Sequence, residues 1–464
     1  MIRHLPKLLP ILLCVTLLWA PLPFGSVTRG AAAALEISAF LALFLAALTV
    51  QDREVLRRAL VPAASLFAIA LFGWLQSLPV PGFLAGLLSP GHAALFGDAQ
   101  AHLSVAPEVS RRVALGWAAV AAALVAASVA GHWRWARRAL AGSVLAAAFF
   151  QVLYGAPRWL SNAGTIWGLA VPGMRHRLRG TFVNPDHLAT YLALALPLLF
   201  AWVWWAVSHA RDTPEAERKV LLVAPPVILW LVLFSALAFT GSRAGLVAVM
   251  AGVVVQSLLL RGGGRRSTGV LLGGGALLAG LGVVAFLGLR EGFGRLLSTS
   301  AYEVTWSARL EAYASSLALW RHFPVLGSGL GTFRDAFPAF QPETLPGVWR
   351  HAHSDWLELF VTTGVVGPVL LALGLFALTR SLLKTSRRAV RSEDRAAALA
   401  ALGALAAAGT HELLDFGLTM PANALTLAVI CGAALAAGRS HRSASRRSVP
   451  GATVPPVSGS TSIR

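Results

Sequence analysis

Charge is scarce in this 464-residue chain. Asp, Glu, Lys and Arg make up 13% of it, about half the share of an average soluble domain, which excludes a soluble fold. Cysteine is nearly absent: Cys14 and Cys431 are the two, and each lies inside an apolar run, where a thiol behaves as a small hydrophobe. No disulfide framework or zinc-finger spacing can be built from them. Acidic residues are also few, 20 against 39 basic ones, for a formal net charge of +19. In a soluble protein that balance would point to nucleic acid. Here the basic side chains sit between apolar runs, so membrane topology accounts for them and no nucleic-acid partner is expected.

What is abundant is apolar sequence, 56% of the chain. A bilayer core of about 30 Å needs roughly 20 apolar residues per helix, and twelve such runs can be marked: 8–25, 31–50, 59–78, 113–131, 139–155, 188–209, 220–240, 244–260, 268–289, 356–379, 396–412 and 419–438. The expected fold is therefore an all-α polytopic membrane protein of about 12 transmembrane helices. The first run leads into Pro21–Gly25 without a small-x-small cleavage pattern and reads as an uncleaved span.

The connectors alternate in basic content. If the N terminus is cytoplasmic, 25 of the 39 basic residues, including the three lysines Lys7, Lys219 and Lys384, lie inside. The other 14 lie outside, six of them in one long connector whose charges count little toward orientation. Both termini are thus expected in the cytoplasm. Residues 1–438 form the helical membrane domain and 290–355 an outer loop inserted within it. Residues 439–464, rich in Ser, Arg, Pro and Gly, form a disordered basic tail facing lipid headgroups.

Three outer connectors stand out. Residues 79–112 contain the short apolar stretch Phe83–Leu88, expected in the membrane interface. Residues 156–187 carry Arg158, Arg175, Arg177 and Arg179. In 290–355, Leu310, Tyr313, Leu317 and Trp320 fall on one helical face, with Ser307 as N-cap and Pro324 and Gly327 as terminators. A connector of that length is functional or disordered, and this pattern favours a folded one. The stretches Arg261–Arg265 and Gly327–Gly331 match neither a P-loop nor a dinucleotide fingerprint and read as turns.

Outer arginines run against the positive-inside bias. Arg175, Arg177 and Arg179 precede Gly180-Thr181-Phe182-Val183-Asn184-Pro185-Asp186-His187, and Arg243 closes Thr240-Gly241-Ser242-Arg243. Any single one could anchor a helix end to headgroups. Together, guanidinium forks at one face suit a lipid diphosphate. His351-Ala352-His353-Ser354-Asp355-Trp356-Leu357-Glu358 follows at the start of span ten. A histidine there could deprotonate a hydroxyl, cap the helix, or join a metal set completed from elsewhere, with Asp355 and Glu358 as orienting or capping groups. His411 and Asp415 stand four apart, the spacing of a local helical ion pair and, secondarily, of a substrate contact. Glu36, inside span two, calls for a partner that the sequence does not identify.

At these residues the chain resembles the O-antigen ligase and O-antigen polymerase superfamily of bacterial envelope glycosyltransferases. The matching pieces are Arg177–His187 (R-x-x-G-T-F-x-N-P-N-H-like), Thr240–Gly245, Ser307–Phe333, His351–Gly367 (H-x-H-N-like) and His411–Pro421, with Asp186 and Ser354 where the family usually has Asn. The resemblance covers about residues 170–430 in the family's order. It implies a metal-independent, cofactor-free inverting glycosyltransferase of the bacterial inner membrane, with a periplasmic active site. An undecaprenyl-diphosphate-linked glycan would be the donor, and lipid A-core or a second lipid-linked glycan the acceptor. Carried over by position, His353 is the catalytic histidine, and Arg177, Arg179 and Arg243 bind the donor diphosphate. Asn184, His187, Arg309, His351, Asp355, His411 and Asp415 support them. Two other classes fit twelve spans: a bicarbonate-carrier-like transporter and a structural partner of a polysaccharide export complex. The gathering of polar motifs at one face, rather than at the midplane, favours interfacial chemistry.

Overall fold

The computed structural model describes residues 5–50, 52–91, 102–171, 176–260 and 306–437, together with 94, 173, 272–276 and 282. Most of the span expected at 268–289, residues 290–305 of the long connector, Arg175 and the tail from 439 lie outside the described residues.

The apolar runs fold into helices α1 (Leu5–Trp19), α2 (Arg29–Thr49), α3 (Arg53–Gln76), α4 (Gly82–Leu88), α5 (Pro107–Ala130) and α6 (Arg134–Leu160). They continue with α7 (Pro185–Ala210), α8 (Ala216–Phe239), α9 (Arg243–Leu260), α10 (Trp306–His322), α11 (Phe333–Ala336), α12 (Asp355–Thr363), α13 (Val366–Arg388), α14 (Ser392–His411) and α15 (Pro421–Leu435). Among the described residues, eight helices (α2, α3, α5–α9 and α13) are long and apolar enough to cross a membrane, while the apolar helices α1 and α15 are shorter. The chain is an all-α polytopic membrane protein.

Helix α7 lies at the centre, buried on nearly every side from Pro185 to Ala201. Against it pack α8, α9 and the Ala/Gly-rich α14. With no hydrophobic driving force between helices in lipid, small residues that permit close approach do the packing. A Cβ on Gly252 would come within 2.9 Å of the Gly403 carbonyl. Beside this contact the buried Gln256 donates to the carbonyls of Pro197 (2.9 Å) and Leu399 (3.1 Å), joining α9 to α7 and α14.

At one end of the bundle, Arg137 pairs with Asp394 at 2.6 Å, and Arg134 and Arg138 both reach Glu393, tying α6 to α14. The polar motifs singled out above gather at the other end.

The span expected at 356–379 does not form as one helix. The chain breaks at Gly364, whose φ of +59° suits glycine, and a Cβ there would stand 2.1 Å from the Val325 carbonyl. Helix α12 therefore belongs with the connector, and α13 is the long apolar helix.

The connector from 306 onward is folded, around a second core that includes Phe323, Phe333, Phe337 and Trp349. Its α10 begins at Trp306, so Ser307 lies inside the helix rather than capping it. The buried stripe is Ala312, Ser316 and Leu319 instead of the larger side chains, and Leu310 and Leu317 remain 50% and 41% exposed. Small residues bring α10 close to its neighbours, and the leucines turn outward. Gly327–Gly331 is a turn with three glycines at positive φ, and it seats on the end of α3. Gln76 there donates to the Leu326 carbonyl (2.6 Å) and accepts from the Leu330 N–H (3.0 Å). Nearby α4 exposes Phe83 and Leu87, 75% and 74% accessible, and buries Ala85.

Candidate active site

Helix α7 starts at a Pro after a capping Asn, a strong start signal, and the Asn184 side chain accepts the Asp186 N–H at 2.9 Å. That start fixes Asp186 beside Arg177, whose Nη2 meets Asp186 Oδ1 at 2.6 Å. Arg177 Nε donates to the carbonyl of Thr240, and Ser242 hydrogen-bonds Asp186. Two motifs some sixty residues apart in sequence are thereby locked together. Arg243 follows as the first residue of α9, exposed and, among the described residues, with no hydrogen-bond or ion-pair partner.

Arg179 is buried and donates to the carbonyls of Gly173 (3.3 Å) and Val171 (3.4 Å). It lines a small cleft with Arg177, Arg158 and Trp159. Gln151 of α6 holds this stretch in place by accepting from the Thr181 N–H (2.7 Å) and hydroxyl (3.0 Å).

Four histidines share the neighbouring volume. Three surround Phe416: His351 stacks on its ring at 4.3 Å, and His187 and His353 meet it in T-shaped geometry at 5.0 Å. His411 lies 3.3 Å from the Thr190 hydroxyl. His353 adopts φ +56°, its carbonyl accepts the Tyr313 hydroxyl at 2.9 Å, and its Nδ1 is buried without a hydrogen-bond partner. Burial, reinforced by Arg309 and His351, lowers the His353 pKa to about 4, so the imidazole is neutral at pH 7. His351 differs: its Nδ1 lies 3.2 Å from both Glu358 oxygens, and Glu358 also accepts the Ala352 N–H. Burial opposes charge on His351, but Glu358 outweighs it and raises the pKa above the ordinary imidazole value.

Ser354 caps α12, and its hydroxyl reaches the Glu412 carbonyl at 3.1 Å. Asp355 does not orient an imidazole. Its carboxyl takes the Leu418 N–H (3.0 Å), the Thr419 N–H (3.2 Å) and the Thr419 hydroxyl (2.7 Å), latching α12 to the turn after α14. Burial, with the adjacent Glu412, pushes the Asp355 carboxyl well above the carboxylate range, and Asp355 hydrogen-bonds Glu412.

The expected His411–Asp415 helical pair does not form. Helix α14 ends at His411, which removes the one-turn geometry, and His411 Nδ1 lies 3.5 Å from Glu412 instead. Asp415 accepts the Phe416 N–H at 3.0 Å, and burial together with the charge of Asp186 raises its pKa to about 6. Arg309 donates to the Leu414 carbonyl and faces His353, His411 and Asp415. Glu36 stands on α2 opposite Gly116 of α5.

Sequence reasoning missed Glu412 and Gln151, and assigned no role to Phe416, which lay only within the matched His411–Pro421 stretch. An acidic residue closing an apolar run could have revealed Glu412, whereas nothing local marks Gln151. Among the described residues no group of three or more His, Cys, Asp or Glu is arranged to hold a metal ion.

Residues 227–372 match the family model described as O-Antigen ligase. No curated protein matches the chain. The matched segment takes in Arg243, Arg309 and the His351–Glu358 stretch, and over residues 227–372 the chain is similar to the O-antigen ligase family.

Proposed function

We propose that the protein is a membrane glycosyltransferase that transfers a glycan from an undecaprenyl-diphosphate carrier to a sugar hydroxyl at the periplasmic face of the inner membrane. What carries this reading is Arg177, bonded to Asp186 and to the carbonyl of Thr240 three residues before Arg243, beside the histidine cluster and at the same end of the bundle. The donor diphosphate meets the exposed Arg243 guanidinium and the cleft lined by Arg177 and Arg179. The acceptor oxygen attacks the anomeric carbon from the face opposite the diphosphate, its proton passes to an imidazole of the His351–His353 pair, and the bond from anomeric carbon to phosphate oxygen breaks with inversion. The arginines stabilise charge gathering on the departing lipid diphosphate. In this reading both termini face the cytoplasm and the folded part of the connector, 306–355, faces the periplasm beside the site.

The test is glycan transfer by the purified protein in liposomes, given a lipid-diphosphate-linked repeat unit and either lipid A-core or a second repeat unit. Product on lipid A-core makes the protein a ligase, and a ladder of repeats makes it a polymerase. No product with either acceptor, from folded protein given its cognate donor, would refute transfer and favour a carrier.

A further inference from the structure

We propose that Trp167 and Tyr154 form a stacking platform for a sugar ring of the substrate glycan, at the rim of the cleft lined by Arg158, Arg177 and Arg179; this deepens the glycosyl-transfer reading and rests on it.

Between α6 and the arginine stretch the chain makes a short antiparallel hairpin, β1 (Thr165–Ile166) and β2 (Leu169–Ala170), with Ile166 opposite Leu169. Its two-residue turn is Trp167-Gly168, at φ +53° and +80°. Positive φ at both positions is the type I′ pattern, which Asn-Gly adopts readily. A tryptophan in the first position carries a steric cost that asparagine largely avoids. Backbone strain of this kind persists where the surroundings fix it, and it concentrates at ligand sites.

The surroundings do fix Trp167. Its backbone N–H donates to the Tyr154 hydroxyl at 2.7 Å and its indole N–H to the Leu22 carbonyl at 2.9 Å, so α6 and the turn between α1 and α2 both hold the residue. The indole lies on the Tyr154 ring, 4.5 Å between centroids, and beside Phe150 at 6.3 Å and 19°. It nonetheless stays 46% exposed. A locked, open aromatic face is complementary to a pyranose, whose C–H face is apolar and whose hydroxyls lie round its edge.

One residue ties this platform to the cleft. Arg158 lines the cleft, and its guanidinium carbon stands 4.9 Å over the Tyr154 ring. It also donates to the Thr165 carbonyl (3.0 Å) and hydroxyl (2.7 Å) at the base of the hairpin. An anion held among Arg158, Arg177 and Arg179 therefore has the platform as its neighbour, and the group joined to a carrier diphosphate is a sugar. Anchoring in lipid headgroups is the weaker account. A tryptophan in that role turns its N–H toward the headgroups, whereas the Trp167 N–H is taken by Leu22 and only the ring face is offered.

The experiment measures binding separately from transfer. Equilibrium binding to the full chain in phosphatidylcholine nanodiscs is measured for bare undecaprenyl diphosphate, for the carrier-linked repeat unit and for lipid A-core. The variants are Trp167→Asn, which keeps a turn of the same type and removes the ring, and Trp167→Tyr, which keeps a smaller ring. Trp167→Asn is expected to weaken binding of the carrier-linked repeat unit by about 2–10-fold, the effect of one aromatic stack. Bare carrier should bind as to the wild type, which also reports an intact cleft, and Trp167→Tyr should fall in between. That pattern assigns the platform to the donor's sugar, and a loss confined to lipid A-core assigns it to the acceptor's.

Equal loss for bare carrier in both variants would make Trp167 a lipid contact, and no loss with any probe would leave it a turn residue alone; either result overturns the proposal. Glycan-dependent binding by a wild type that transfers nothing would refute glycosyl transfer and leave the saccharide platform standing.

Discussion

Two arginines of the candidate donor site should respond to alanine in opposite ways as regards stability. Arg243 is exposed and has no described partner, so Arg243→Ala strands no buried group. Its unfolding temperature should match the wild type, since surface changes of this kind fall within about 0.5 kcal/mol. Its transfer rate should nevertheless drop by about 10²–10³-fold, the loss of about 2.7–4 kcal/mol typical of one donor to a developing anion. Arg177 and Asp186 are both mostly buried, with 14% and 16% of their side chains accessible. Arg177→Ala leaves that carboxylate without its counter-charge, a change that costs about 3–5 kcal/mol. Activity and stability should therefore fall together. In Arg177→Ala/Asp186→Asn the stranded charge is gone while a hydrogen-bonding oxygen for Ser242 remains, and thermal stability should recover while transfer does not. The assays are thermal unfolding in detergent and glycan transfer in liposomes on the same preparations. Wild-type transfer by Arg243→Ala, or wild-type stability in Arg177→Ala, would refute the reasoning.

Gln76→Leu should loosen the connector. It leaves the Leu330 N–H unpaired, a cost of about 1–3 kcal/mol, and limited proteolysis within 306–363 should quicken. Gly364→Ala must move the Val325 carbonyl or leave the left-handed region, so its unfolding temperature should fall; an unchanged value would mean that the break is not fixed by this contact. Asp415 binds its proton more tightly folded (pKa about 6) than at its ordinary value of 3.8, so its ionisation removes stability as pH rises between those values. Asp415→Asn should therefore flatten the unfolding temperature across that window and raise it at pH 7.

The helices were legible because apolar runs of span length admit few alternatives in a bilayer, and the described helices follow those runs closely from α2 to α9. The break in span ten was not, because Gly364 sits in an apolar run and its conformation is required by Val325, forty residues away. Periodicity also chose the wrong face of α10. In that helix large leucines stay outward while Ala312 and Ser316 make the close contact, and hydropathy alone ranks these residues in the opposite order. At the site, the residue types that motif reading selected do gather at one end of the bundle. Their partners were not legible, since the Asp186–Arg177–Thr240 lock, the contact between Asp355 and Glu412 and the ring of histidines around Phe416 arise only from long-range packing. Asp355 illustrates the limit: its position beside two histidines suggested an orienting carboxylate, but it binds Leu418 and Thr419 instead.

The connector is fastened to the bundle at two separate points: the glycine turn gripped by Gln76, and the Ser354–Asp355 corner seated on residues 412–419. The chain between these fixings therefore behaves like a bridge deck on two piers. Residues 338–348, largely exposed apart from Leu345, can change in composition while His351 and His353, at the far end of the deck, stay held by Glu358 and Phe416 beyond the second pier. If the proposed glycosyl transfer holds, acceptor preference is expected to vary with that stretch while the histidine cluster keeps its registration.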